Sequence, residues 1–110
     1  ANVLARQGDP RALEYAQRAH DLAPQDAAIR DTLGWLLVGS GQAEAGLRHL
    51  REARLRAPQN PTIRYHLAAA LAAIGREDEA RAELNEALDA NGAFDEMESA
   101  RNLQRRLGGH

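Results

Sequence analysis

The stretch DAAIRDTLGWLLVGSGQAEAGLRHLREARLRAP, residues 26–58, decides the fold. Asp26 is a helix-capping residue type, and behind it Ile29, Leu33, Leu36 and Leu37 cluster in one arc at about 100° per residue, as the apolar stripe of a helix does. Gly39 and Gly41 break that helix after about Val38, a second helix runs from about Gln42 to Arg56, and Pro58 stops it. The unit is two helices with a turn between them. Sliding the chain by 34 residues repeats it. Ala19 falls on Ala53 and Ala87, Pro24 on Pro58, Ile29 on Ile63, Arg30 on Arg64, Leu33 on Leu67, Leu37 on Leu71, Gly41 on Gly75 and Leu50 on Leu84. One helical hairpin cannot bury its apolar face alone, so stacked copies must share a core. The fold class is all-α, an α-solenoid of antiparallel helix pairs.

Outward from this unit, the same order recurs over residues 60–92, from Asn60 and Pro61 through the Gly75 break to Ala90 and the Asn91-Gly92 stop. Upstream, Asp9 and Pro10 supply an N-cap and a first-turn proline for a helix to about Leu22. Residues 1–25 read as a partial repeat, with residues 1–6 the end of a missing partner helix. Downstream, AFDEMESARNLQRRL, residues 93–107, places Met97, Ala100, Leu103 and Leu107 along one side and charges along the other, the pattern of a capping helix. Residues 1–110 thus form one domain: a partial repeat, repeats over 26–59 and 60–92, and a capping helix with its tail over 93–110.

The period and pattern resemble the tetratricopeptide repeat (TPR) across essentially the whole chain. The family's large, leucine and small positions of the first helix fall on Ile29 or Arg30, Leu33 and Gly34, then on Ile63 or Arg64, Leu67 and Ala68. Its small, large, small series in the second helix falls on Gly46, Leu50, Ala53 and on Ala80, Leu84, Ala87, with the terminal proline at Pro24 and Pro58. Gly92 stands where the third proline is expected, the turn around Gly8 is one residue shorter, and the bulky aromatic near Arg30 and Arg64 is missing. A narrower resemblance lies in DPRALEYAQRAHDLAPQD, DTLGWLLV and NPTIRYHLAAALA, which are similar to the C-terminal repeats of the bacterial TPR lipoproteins that accompany PEP-CTERM (exosortase) sorting and exopolysaccharide systems. That resemblance implies a piece of a longer, exported and lipid-anchored solenoid on the cell-envelope side; without it, a cytoplasmic scaffold is the expectation.

Composition narrows the partners. The formal charge is −2 and the pI about 6.1, so no basic field exists to hold nucleic acid or an anionic membrane. No apolar run approaches the roughly 18 residues of a membrane span, and ANVLARQGDP lacks the basic start and hydrophobic segment of a signal peptide. With no cysteine, disulfides and thiolate metal sites are excluded, but either redox compartment remains open. All 14 basic residues are arginines, a coding bias before it is a binding signal. His20, His49, His66 and His110 have no metal-binding spacing, Gly39-Ser40-Gly41 is a turn without the strand and lysine of a phosphate loop, and the carboxylates lie on polar helical faces. These residues predict no enzyme, no cofactor and no metal.

Trp35, the sole tryptophan, lies roughly 145° from the centre of its helix's core arc. Its neighbours there include Asp31, Val38 and Ala28, and one repeat later the equivalent positions are Tyr65, Ala69, Ala72 and Thr62. The family resemblance assigns these offsets to the concave side, so Asp31, Trp35, Val38, Thr62, Tyr65, His66, Ala69 and Ala72 form the expected ligand groove. Trp35 and Tyr65 would anchor an extended peptide or a partner helix. Alternatively, Trp35 packs across the groove onto Ala69, Ala72 or an N-terminal repeat and tightens the superhelix. Asp31 could receive a cation from a ligand, remain solvated or pair with Arg64. TPR proteins that grip a C-terminal carboxylate resemble one another in lysine, arginine and asparagine at groove positions occupied here by Asp31, Trp35, Tyr65, Ala69, Thr62 and His66, so that cationic clamp is absent.

Outer helices carry opposite charge: Arg48, Arg51, Arg54 and Arg56 on one, Glu77, Asp78, Glu79, Glu83, Glu86 and Asp89 on the next. Attraction between repeats is expected, each exposed pair being worth about 0.2–1 kcal/mol, with docking of a partner as a secondary use. The expected function is a non-catalytic protein-interaction module that binds a protein or peptide. The rival is a purely structural C-terminal cap of a longer solenoid. Loss of the helix that covered residues 10–22 would also favour a homodimer through that face.

Overall fold

A computed structural model describes residues 10–89 and 96–108. Among the described residues six helices follow one another: α1 (Pro10–Leu22), α2 (Ala27–Gly39), α3 (Ala43–Arg56), α4 (Pro61–Ala73), α5 (Glu77–Asp89) and α6 (Met97–Arg106). Each packs on the next, and α2 also touches α4 directly, which is the all-α hairpin stack that the 34-residue repeat predicts. The expected readings of Asp9, residues 1–6 and Asn91-Gly92 lie outside the described residues.

Capping chemistry sets the starts of the inner helices. The Asp26 side chain accepts from the Ile29 N–H, and one repeat later the Asn60 side chain accepts from the N–H groups of Thr62 and Ile63, with Pro61 at the first helical position. The turns between paired helices are set by Gly41 and Gly75, whose φ angles of +86° and +85° lie where side chains other than glycine are strained. Alpha2 and α3 approach so closely that a methyl on Gly46 would stand 2.5 Å from the Gly34 carbonyl oxygen. That contact pulls Leu33 and Leu50 fully out of solvent.

The core falls into three clusters along the stack. Ala16, Leu33 and Leu37 join α1 to α2; Leu47, Leu50, Leu67, Ala70, Leu71 and Ala80 fill the middle; Tyr65, Ala68, Leu84, Ala100 and Leu103 close it beneath α6. Of the expected apolar stripe of α6, Ala100 and Leu103 are buried and Met97 and Leu107 half-buried. Hydrogen bonds from Arg81 to the Leu107 carbonyl (2.8 Å) and from Gln104 to Asn85 (3.1 Å) tie α6 to α5.

The expected attraction between outer helices is present. Arg51 pairs with Glu79 at 3.3 Å, and Arg54 approaches Glu83 at 3.5 Å. Glu83 also receives Arg64 of α4 at 3.0 Å, so one carboxylate joins three helices. No helix is long and apolar enough to cross a membrane among the described residues.

Candidate functional site

The inner helices α2, α4 and α6 enclose a cleft of about 380 Å³. Its walls are Trp35 of α2, Tyr65, Ala69, Ala72 and Ala73 of α4, Glu77 at the start of α5, and Ser99, Leu103, Arg106 and Leu107 from α6 and its end. Small side chains make it open: the i, i+4, i+7 spacing of Tyr65, Ala69 and Ala72 puts one aromatic and two methyls on a single face. Four of the eight expected groove residues, Trp35, Tyr65, Ala69 and Ala72, therefore meet in one place.

Asp31 and His66 lie beneath this wall and are buried. His66 Nδ1 is 2.8 Å from Asp31 Oδ1, and Nε2 is 3.0 Å from Glu96 Oε2 at the entry to α6. The indole of Trp35 stacks on the imidazole with ring centroids 4.1 Å apart and planes 16° from parallel. Burial alone would lower the affinity of His66 for its proton, but hydrogen bonds and charge from Asp31 and Glu96 outweigh it and raise the pKa from 6.5 to about 9. At neutral pH both ring nitrogens therefore donate, and the charged ring faces an aromatic surface that attracts cations. The cation that Asp31 receives is this chain's own His66. Arg64 instead bonds Glu83 and the Pro58 carbonyl.

The two remaining groove expectations fall elsewhere. Val38 turns toward the α2–α3 contact, where its methyl would meet any side chain on Gly46, and packs against the middle core. Thr62 sits in the first turn of α4, with its N–H on Asn60, and is not part of the cleft wall. Tyr65 is less open than an anchor for a partner would be: it is 9% exposed, covered by Ala100 and Leu103. Its hydroxyl pKa is raised, by burial first and then by Glu96.

Sequence reasoning missed Glu96, because α6 lies outside the 34-residue repeat and nothing places its entry over His66. Leu103 and Leu107 were legible as an apolar stripe, though not as a cleft wall. Two histidines distant in sequence also converge: His20 and His49 lie edge to face with centroids 5.3 Å apart. Among the described residues, no group of three histidine, aspartate or glutamate side chains is arranged to hold a metal ion.

Paired helices with glycine turns, a shared core and a concave cleft define an α-solenoid, a class that works by binding other proteins along its inner surface. The family model described as tetratricopeptide repeat matches residues 37–107, and the chain belongs to that family. Among solved structures it is similar to the Yersinia enterocolitica type III secretion translocator chaperone SycD, with 18% identity and a TM-score of 0.75 over 87% of this chain and 67% of that one. SycD in complex with a peptide of the translocator YopD gives 20% identity and a TM-score of 0.69 over 87% and 71% of the two chains. At these identities the likeness concerns the fold. No curated protein matches the chain.

Proposed function

We propose that this chain is a non-catalytic binding module that takes a peptide segment of a partner protein in the cleft between α2, α4 and α6. The observation that carries this reading is the cleft itself, about 380 Å³ of open concave surface with the Trp35 and Tyr65 rings beside the methyls of Ala69 and Ala72. Aromatic faces beside small side chains leave room for an incoming apolar group and reward its burial. The solved complex of SycD with a YopD peptide supports a peptide as the kind of ligand. Placement within an envelope scaffold of the PEP-CTERM type rests on the sequence resemblance.

Selection of displayed twelve-residue peptides on the immobilised chain tests the proposal. Peptides so recovered should lose affinity by about tenfold or more in Trp35→Ala, and likewise in Ala72→Arg, which fills the cleft from its floor. Peptides indifferent to both substitutions would place binding elsewhere. A second reading, that the segment only closes a longer solenoid, draws on the burial of Tyr65 and the engagement of Trp35 with His66. Recovery of no specific peptide would favour it.

A further inference from the structure

The two repeats bring the same three positions together but fill them with different side chains. In the second, Glu83 sits between Arg54 and Arg64, at 3.5 Å and 3.0 Å, a carboxylate neutralising two guanidinium groups. Moving back 34 residues turns Arg54 into His20, Glu83 into His49 and Arg64 into Arg30. The geometry is retained. Arg30 Nε donates to His49 Nδ1 at 3.3 Å, as Arg64 reaches Glu83, and the His20 ring stands against His49 where Arg54 approaches that carboxylate. What is missing is the negative charge. Among the described residues Arg30 has only the neutral His49 acceptor, the neighbouring Arg48 makes no ion pair, and His20 Nδ1 is buried without a hydrogen-bond partner.

We propose that the His20–His49–Arg30 junction, with Arg48 beside it, is a docking point for a carboxylate from an acidic segment of a partner protein. The partner's aspartate or glutamate supplies from outside the charge that Glu83 supplies from within one repeat later. Arg51 and Arg54 already face carboxylates, Glu79 at 3.3 Å and Glu83 at 3.5 Å, although Arg54 Nε is itself buried without a hydrogen-bond partner. The state of His49 agrees: burial first, then Arg30, His20 and Arg48, depress its proton affinity, and no carboxylate counters them. An incoming carboxylate removes that opposition, so binding should raise the pKa of His49.

The test uses the full chain, a capped hexaglutamate peptide and, separately, sodium acetate, at constant ionic strength. Imidazole ring resonances of His20 and His49 are followed by NMR, with His66 as a reference within the same protein. Saturable shifts at His20 and His49 are expected with the peptide, bound about tenfold or more tightly than acetate per carboxylate. His49→Glu installs the second repeat's own carboxylate and should abolish the response at His20 while the helical spectrum is unchanged. Arg30→Gln should weaken the peptide by about tenfold. No saturable shift with either probe overturns the proposal, as does a response that survives His49→Glu. Equal affinity for acetate and peptide overturns the docking surface, leaving an anion site only. Because the cleft between α2, α4 and α6 is not involved, these results are independent of peptide binding there.

Discussion

At the scale of single residues, His66 links the site to solution conditions. Its proton is held more tightly in the folded chain than in the unfolded one, so its stabilising contribution is complete below about pH 6.5 and is lost as pH rises through about 9. The shift corresponds to a contribution on the order of 3 kcal/mol at most. Denaturant unfolding followed by helical circular dichroism should therefore show stability falling between pH 7 and pH 9.5. His66→Gln should be less stable at pH 6.5 and nearly flat over the same interval; parallel slopes in the two proteins would remove His66 as the cause. The sequence made Asp31, Trp35, Tyr65 and His66 legible as neighbours, because helical periodicity and the repeat offset put them on the same inner faces. That Asp31 bonds His66 rather than Arg64 was not legible. It depends on how far apart α2 and α4 stand, which periodicity within one helix does not give.

At the scale of helices, the Gly34–Gly46 pair is the most exacting contact in the stack. A Cβ on Gly46 would press on the Gly34 carbonyl at 2.5 Å and on a Val38 methyl at 2.8 Å, and backbone cannot swing aside as a long side chain can. Gly46→Ala should destabilise the chain by about 2–3 kcal/mol, measured as a lowered denaturation midpoint with an unchanged slope. One repeat on, the same positions are Ala68 and Ala80, both fully buried, so the α4–α5 pair accommodates the methyls that α2–α3 cannot. A Gly46→Ala protein as stable as its parent would mean that the α2–α3 spacing relaxes freely. Helix bounds were largely legible because caps and breakers mark them: Asp26 and Asn60 start helices, and Gly41 and Gly75 turn the chain after them. The shift of Val38 from the expected groove to the α2–α3 contact was not, since periodicity gives an angle around one helix and says nothing about which neighbour comes closest.

At the scale of the whole molecule, α6 completes both the core and the cleft. It covers Tyr65, Ala68 and Leu84, supplies Ser99, Leu103 and Arg106 to the cleft, and is preceded by the Glu96 carboxylate that holds His66. In a stack where each unit leans on the next, removing the last one strips the exposed neighbour of its partner. A chain ending at Asp89 should melt lower by about 5 °C or more, and its alkaline transition should move to lower pH, because His66 keeps Asp31 but loses Glu96. An unchanged melting temperature would make α6 an accessory to the cleft and not part of the fold's support. The segment was legible as amphipathic, whereas its role in shaping the site was not, because α6 does not follow the 34-residue offset that aligns the preceding helices. The near-identical turns at Gly41 and Gly75 carry one more implication. Two hairpins with the same turn, 34 residues apart, are successive copies of one unit, so a duplicated unit inserted between them would extend the stack. Length in such a protein is a number of copies, open to change by duplication without redesign of any one hairpin.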